Sequence, residues 1–252
     1  MPSTKRPALP ADIAGLRQRL VKARARGLPP DQEARGRRIL DAWLAALERR
    51  GQKTRDILAD LVSGAVAQRL AALTGEELRR ENPPILANAA CASGCAFCCI
   101  LTEGDGGLIT ASEARQLHRA LAPLAGHPDG RQWHPGACAA LDPETRNCRA
   151  YDDRPTVCRS FLSVDVDACR ENAAGGEAAG AGLLGNHLDY LAILALSRDL
   201  LKGTSLVATY SLEKLASAAV EGLPEEAALA AARHKTAELE KTCRDIGRSQ
   251  AG

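Results

Sequence analysis

Aromatic residues are almost missing from this 252-residue chain: two Trp, three Tyr and two Phe make up 3% of it. Charge of one sign is missing too, because 33 Lys and Arg stand against 31 Asp and Glu for a net of +2. That balance excludes a protein whose main task is to coat nucleic acid or an anionic membrane. No apolar run approaches the roughly 18 residues that a membrane span needs. The opening MPSTKRPALPADIAGLRQRL lacks the apolar centre of a signal peptide, so a cytoplasmic protein is expected. The densest basic stretch carries Arg17, Arg19, Lys22, Arg24, Arg26, Arg35, Arg37 and Arg38. With no aromatics interleaved to stack on bases, it reads as a solvated helix face rather than an RNA surface. Neither an internal repeat nor an alternation of strands with helices is visible. The length still allows one or two domains with a buried core.

Against these shortages stand nine cysteines. Eight fall between Cys91 and Cys169, and Cys243 lies alone near the C-terminus. Reducing compartments keep thiols from pairing, so such a cluster points to bound metal rather than to disulfides. The cluster divides the chain into a helical region 1–85, a cysteine-cluster metal-binding domain 86–172 and a helical region 173–252. The expected fold class is mainly α, with helical segments flanking a loop-rich, cysteine-liganded metal module.

The flanks read as helices from their spacing. Leu16 and Leu20, then Ile39, Leu40, Trp43, Leu44 and Leu47, then Ile57, Leu58, Leu61 and Val62, mark three helices with breaks at Gly27-Leu28-Pro29-Pro30 and near Gly51. A fourth, short helix is expected from about Thr74, and Asn82-Pro83-Pro84 closes the segment. Inside the cysteine-rich stretch one helix stands out, opened by the capping pair Thr110 and Glu113 and carrying Ala114, Leu117, Leu121 and Leu124 on one face. The rest of that stretch is rich in turn residues and cannot bury much apolar surface, so it calls for a staple such as metal. Asn172 to Gly182 reads as a connector. Helices are expected after it to about Leu201, over Ser211–Glu221 and over Pro224–Ile246. The literal GxGxxG at Gly180–Gly185 has linker composition before it instead of a buried strand, which excludes a dinucleotide loop.

Cys91, Cys95, Cys98 and Cys99 form the first group; Cys138, Cys148, Cys158 and Cys169 follow at spacings of about ten. Thiolates two residues apart can reach one cation, and four soft sulfurs suit zinc or an iron–sulfur cluster. Side chains of neighbours such as Cys98 and Cys99 usually diverge, so one of the two is expected to serve another metal, another cluster edge or none. Eight thiols suffice for two four-sulfur sites, one cluster plus one zinc, or a shared binuclear site. His127 and His134 lie in the loop before Cys138 as weaker nitrogen candidates. His118, His187 and His234 read as solvated or packed, Glu103, Asp105 and Glu113 as minor carboxylate candidates, and Cys243 as a packed thiol.

The run Cys95-Ala-Phe-Cys98-Cys99, then Cys138-Ala-Ala-Leu, then Cys148-Arg-Ala-Tyr151-Asp-Asp-Arg154-Pro155-Thr-Val-Cys158-Arg159-Ser-Phe161 resembles the YkgJ-type cysteine-cluster family over about residues 88–170. The chain departs from that pattern in placing three residues between Cys91 and Cys95 and in carrying Ala96-Phe97 before Cys98. The resemblance implies chelation of zinc or iron. It also leaves open an enzyme like flagellin lysine N-methylase, whose cysteine pattern is similar, or a structural zinc module for protein or RNA contacts. Beside the cysteines, Arg154 and Arg159 would offset thiolate charge and Tyr151 would pack over the site or donate its hydroxyl; a local turn salt-bridged to Asp152 or Asp153 is the simpler alternative. Cys91-x-x-x-Cys95-x-Phe-Cys98 also matches the radical S-adenosylmethionine signature, but no strand series follows for the barrel that chemistry uses. A metal ion is the expected partner, and the helical regions offer surface to a protein partner.

Overall fold

The computed structural model describes residues 10–101 and 106–249. It is 60% helical with a few short strands, so the fold is mainly α. Two compact units share the chain without following its order. One takes residues 1–71, 188–208 and 235–252; the other takes 72–187 and 209–234.

The first unit is built on apolar stripes. Helix α1, Ile13–Lys22, starts where Asp12 Oδ1 accepts the Gly15 amide at 2.8 Å, and buries Ile13, Leu16 and Leu20. Helix α2, Pro30–Arg49, has proline in its first turn, where the missing N–H costs nothing, and buries Leu40 and Leu44. Gly36 on α2 faces Ala192 so closely that a Cβ there would lie 2.6 Å from the alanine methyl. Helix α3, Thr54–Ser63, ends at Gly64, whose φ of +76° is the left-handed conformation that glycine adopts without strain. Helix α4 then runs over Ala65–Glu81 at 80° to α3. It thus begins nine residues before the expected Thr74, because Gly64 turns the chain instead of ending the helical segment. Beyond Leu188 this unit contains the apolar stretch expected there, Leu191 to Leu196, which is buried almost throughout. Among the described residues no single helix is long and apolar enough to cross a membrane.

The second unit packs α6, Ala111–Leu121, with α10, Leu212–Val220, and α11, Glu225–Ala232. The three-residue strand β1, Leu108–Thr110, pairs antiparallel with β4, Thr209–Ser211, in the register Ile109 to Tyr210. Strands β2, Phe161–Ser163, and β3, Ala181–Leu183, pair antiparallel with Leu162 opposite Gly182. Two sequence expectations change here. The connector and its GxGxxG contain β3, so the glycines lie in and beside a strand rather than in a linker. The single helix expected over Pro224–Ile246 is two: α11 ends at Arg233, which turns extended and bridges Tyr210 while the His234 amide donates to Thr209 O at 2.9 Å, and α12 resumes over Glu238–Ser249. Alanine-rich spacing fits a continuous helix, and pairing to the strand overrides it.

Between these elements the cysteine stretch has short pieces only: α5, Pro84–Ala87; 3-10 turns at Phe97–Cys99, Gly130–Gln132 and Tyr151–Asp153; α7, Thr156–Ser160; and α8, Val166–Ala173. Helix α9, Gly185–Leu200, follows β3.

Candidate metal centre

The first cysteine group sits on tight turns. The Cys95 amide donates to Ala92 O at 3.0 Å, and the Cys99 amide to Ala96 O at 2.9 Å. The second group is laced to the first through the backbone. The Cys138 amide donates to Cys99 O at 2.8 Å, Ile100 and Ala137 form a bridge beside it, and Leu141 bridges Cys148. Asn147 Oδ1 accepts from Ser93 Oγ at 2.8 Å and from the Gly94 amide at 3.0 Å, fixing the Cys91–Cys95 loop to the turn before Cys148. On the other side, the Ala90 amide donates to Ser163 O at 2.8 Å, and Cys91 Sγ lies 3.9 Å from the same oxygen. Ala96, Ala137 and Leu141 form a small buried cluster with Cys99, Trp133 and Cys148 against it.

Cys158 is positioned by a buried carboxylate. Glu113 is 1% exposed, and its Oε2 accepts from the Thr110 amide and hydroxyl at 2.9 and 3.0 Å. Its Oε1 accepts from the Thr156 amide and hydroxyl at 2.7 and 2.6 Å. One side chain therefore closes the expected capping box of α6 and also holds the start of the short helix that carries Cys158. The carboxylate is spent on these donors, which removes Glu113 as a metal ligand; Glu103 and Asp105 lie outside the described residues.

The thiols influence one another. Cys99 donates to Cys98, which brings the Cys98 thiol down to about 7 and pushes Cys99 up. Burial pushes Cys138 up to about 12 and raises Cys158 and Cys148, and charge on the other thiols adds to it. Cys138 and Cys158 act on Cys99; Cys98 acts on Cys148 and Cys158. Cys169 is raised by burial first and then by Cys95, Cys98 and Cys91. Cys98, Cys99, Cys138, Cys148 and Cys158 thus influence one another's titration, and Cys91, Cys95 and Cys98 influence that of Cys169. All eight are free thiols within the second unit. Cys243 is fully buried in the first unit, pushed up to about 12 by burial, and answers to Arg198, Glu240 and Arg244.

Arg154 lowers Cys98 and opposes the rise at Cys148 and Cys158. The residues around it form the local turn in a way the sequence did not indicate. Arg154 Nε donates to Tyr151 O at 3.1 Å, and its guanidinium stacks 3.6 Å from the centre of the Tyr151 ring, which is 59% exposed. Arg159 donates to Arg154 O at 2.7 Å and to Asp152 O. Backbone carbonyls close the turn, not the carboxylates of Asp152 or Asp153, and Tyr151 faces solvent instead of covering sulfur. Arg149 was overlooked in the sequence: it donates to Pro128 O and Ala139 O, each at 3.0 Å, and its charge opposes the rise at Cys148. His134 accepts the Gly136 amide at 3.1 Å through Nδ1, His127 is exposed, and His118 packs with Nε2 2.9 Å from Leu223 O.

Soft sulfur donors suit zinc or iron, so the chemistry of this donor set fits such a cation. Among the described residues no group of three or more His, Cys, Asp or Glu side chains is placed so as to hold a metal ion. The backbone brings the loops of the two cysteine groups together at Cys99 and Cys138, and the thiols themselves do not converge on a point. Residues 90–176, about a third of the chain, match the family model described as "CxxCxxCC: Putative zinc- or iron-chelating domain". No curated protein and no solved structure matches the chain.

Proposed function

We propose that this protein holds zinc or iron on its clustered cysteines, with Cys98, Cys99, Cys138, Cys148 and Cys158 as the principal donors and Cys91, Cys95 and Cys169 as a second set that shares Cys98. The matched chelating domain supports metal binding in general. The observation that supports the particular reading is the 2.8 Å bond from the Cys138 amide to Cys99 O, which ties the loops of the first and second cysteine groups to each other. Bound metal would supply the cross-link that so short a set of helices and turns lacks. Arg154 and Arg149 would reduce the negative charge of a thiolate-rich site.

The test is metal analysis with an absorption spectrum after anaerobic purification. Colourless protein with stoichiometric zinc identifies a zinc module; a brown, oxygen-sensitive preparation identifies an iron–sulfur cluster and brings the enzymatic alternatives forward. Cys98→Ser is expected to release metal, and Cys243→Ser to retain all of it. Full metal in Cys98→Ser contradicts the assignment.

A further inference from the structure

One cavity lies away from the cysteines. It has a volume of about 780 Å³ within the first unit, where the end of α9 and the loop after it meet α12 and the Arg24–Arg26 turn. That volume is in the range of small-molecule sites.

Its wall is cationic. Arg24, Arg26, Arg198 and Lys202 line it, against Asp199 and Glu240. Both carboxylates are already engaged: Asp199 accepts the Arg24 amide at 3.0 Å, and Glu240 accepts Arg244 at 2.8 Å. Arg26 and Lys202 are exposed, and their side chains carry neither a hydrogen bond nor an ion pair among the described residues. Arg198 is held rigidly in the wall, donating from Nε to Val207 O and from Nη1 to Thr236 O, each at 2.9 Å. Lined with positive charge that is fixed in part and free in part, the cavity favours an anion, and its low-dielectric walls concentrate that preference. An apolar side completes it: Ala195 and Leu239 are buried, and Leu206 is 44% exposed.

We infer that this cavity binds a small, soluble organic anion with an aliphatic body, its charged head at Arg26, Arg198 and Lys202 and its body against Leu206 and Leu239. The inference is independent of the metal reading, since none of the eight clustered cysteines lines the cavity.

Calorimetric titration of the full chain with octyl phosphate tests it, with inorganic phosphate as the head alone and 1-octanol as the body alone. Octyl phosphate is expected to bind one to one, at least about tenfold tighter than either part, and to weaken in high salt as screened charge must. Arg26→Glu with Lys202→Glu should weaken it a further tenfold or so, with metal content and melting unchanged. Arg55→Glu, an exposed charge reversal outside the cavity, should leave it alone. Lys202→Gln is a milder second variant and should weaken binding less. Vesicles of phosphatidylserine should not retain the chain. Octyl phosphate no tighter than octanol, equal losses in Arg55→Glu, unchanged affinity in the paired variant, or retention on vesicles without octyl phosphate binding would each overturn the inference.

Discussion

The core of the first unit and the cysteine stretch of the second achieve order by different means. In the first, Leu16, Leu20, Leu40, Leu44, Ile57 and Leu61 are all fully buried on helices of ten residues or more. In the second, the buried apolar cluster beside the cysteines is two alanines and a leucine, and two of the three side chains packed on it are cysteines. Apolar burial is worth about 25 cal/mol per Å², so the helices are stabilised generously and the cysteine stretch hardly at all. Backbone bonds, caps and a buried carboxylate hold its shape.

The sharpest way to break this contrast is to remove the metal. Chelation should speed amide exchange at residues 95–101 and 137–150 by at least about tenfold and leave α1 to α3 unchanged, as read by hydrogen-exchange mass spectrometry. Equal loosening of both regions would show that they do not differ in kind. The converse is Leu44→Ala, which should cost about 2–5 kcal/mol in denaturant unfolding through the cavity it leaves, with metal content intact. Glu113→Gln comes next. Exchanging one acceptor oxygen for an N–H group sets donor against donor at Thr110 or Thr156, and should cost about 1–3 kcal/mol and weaken metal retention in competition with a chelator. Retention equal to wild type would reduce Glu113 to a helix cap. Arg154→Ala is the smallest: because the guanidinium is partly solvated, affinity should fall only about two- to fivefold at unchanged stoichiometry.

The same contrast explains what the sequence revealed. Helical spacing located α1 to α3 and α9, because an apolar stripe is a local pattern that the fold only has to bury. Thr110 and Glu113 announced their cap for the same reason. The second duty of Glu113, at Thr156, depends on a partner forty-three residues away and leaves no mark in spacing. Neither do the Asn147 bonds to Ser93 and Gly94, nor the carbonyls that Arg149 and Arg159 find. The break between α11 and α12 went unseen because Tyr210 and Thr209 impose it from outside. Of the site, the identity of the cysteines was plain and the tie between their loops was not: the Cys138 amide reaches Cys99 O across thirty-nine residues, which no spacing announces.

X-ray absorption at the metal edge of the purified, metal-loaded protein tests the central claim most directly. The account predicts a first shell dominated by sulfur, near 2.3 Å for zinc. A shell of nitrogen and oxygen alone would contradict it.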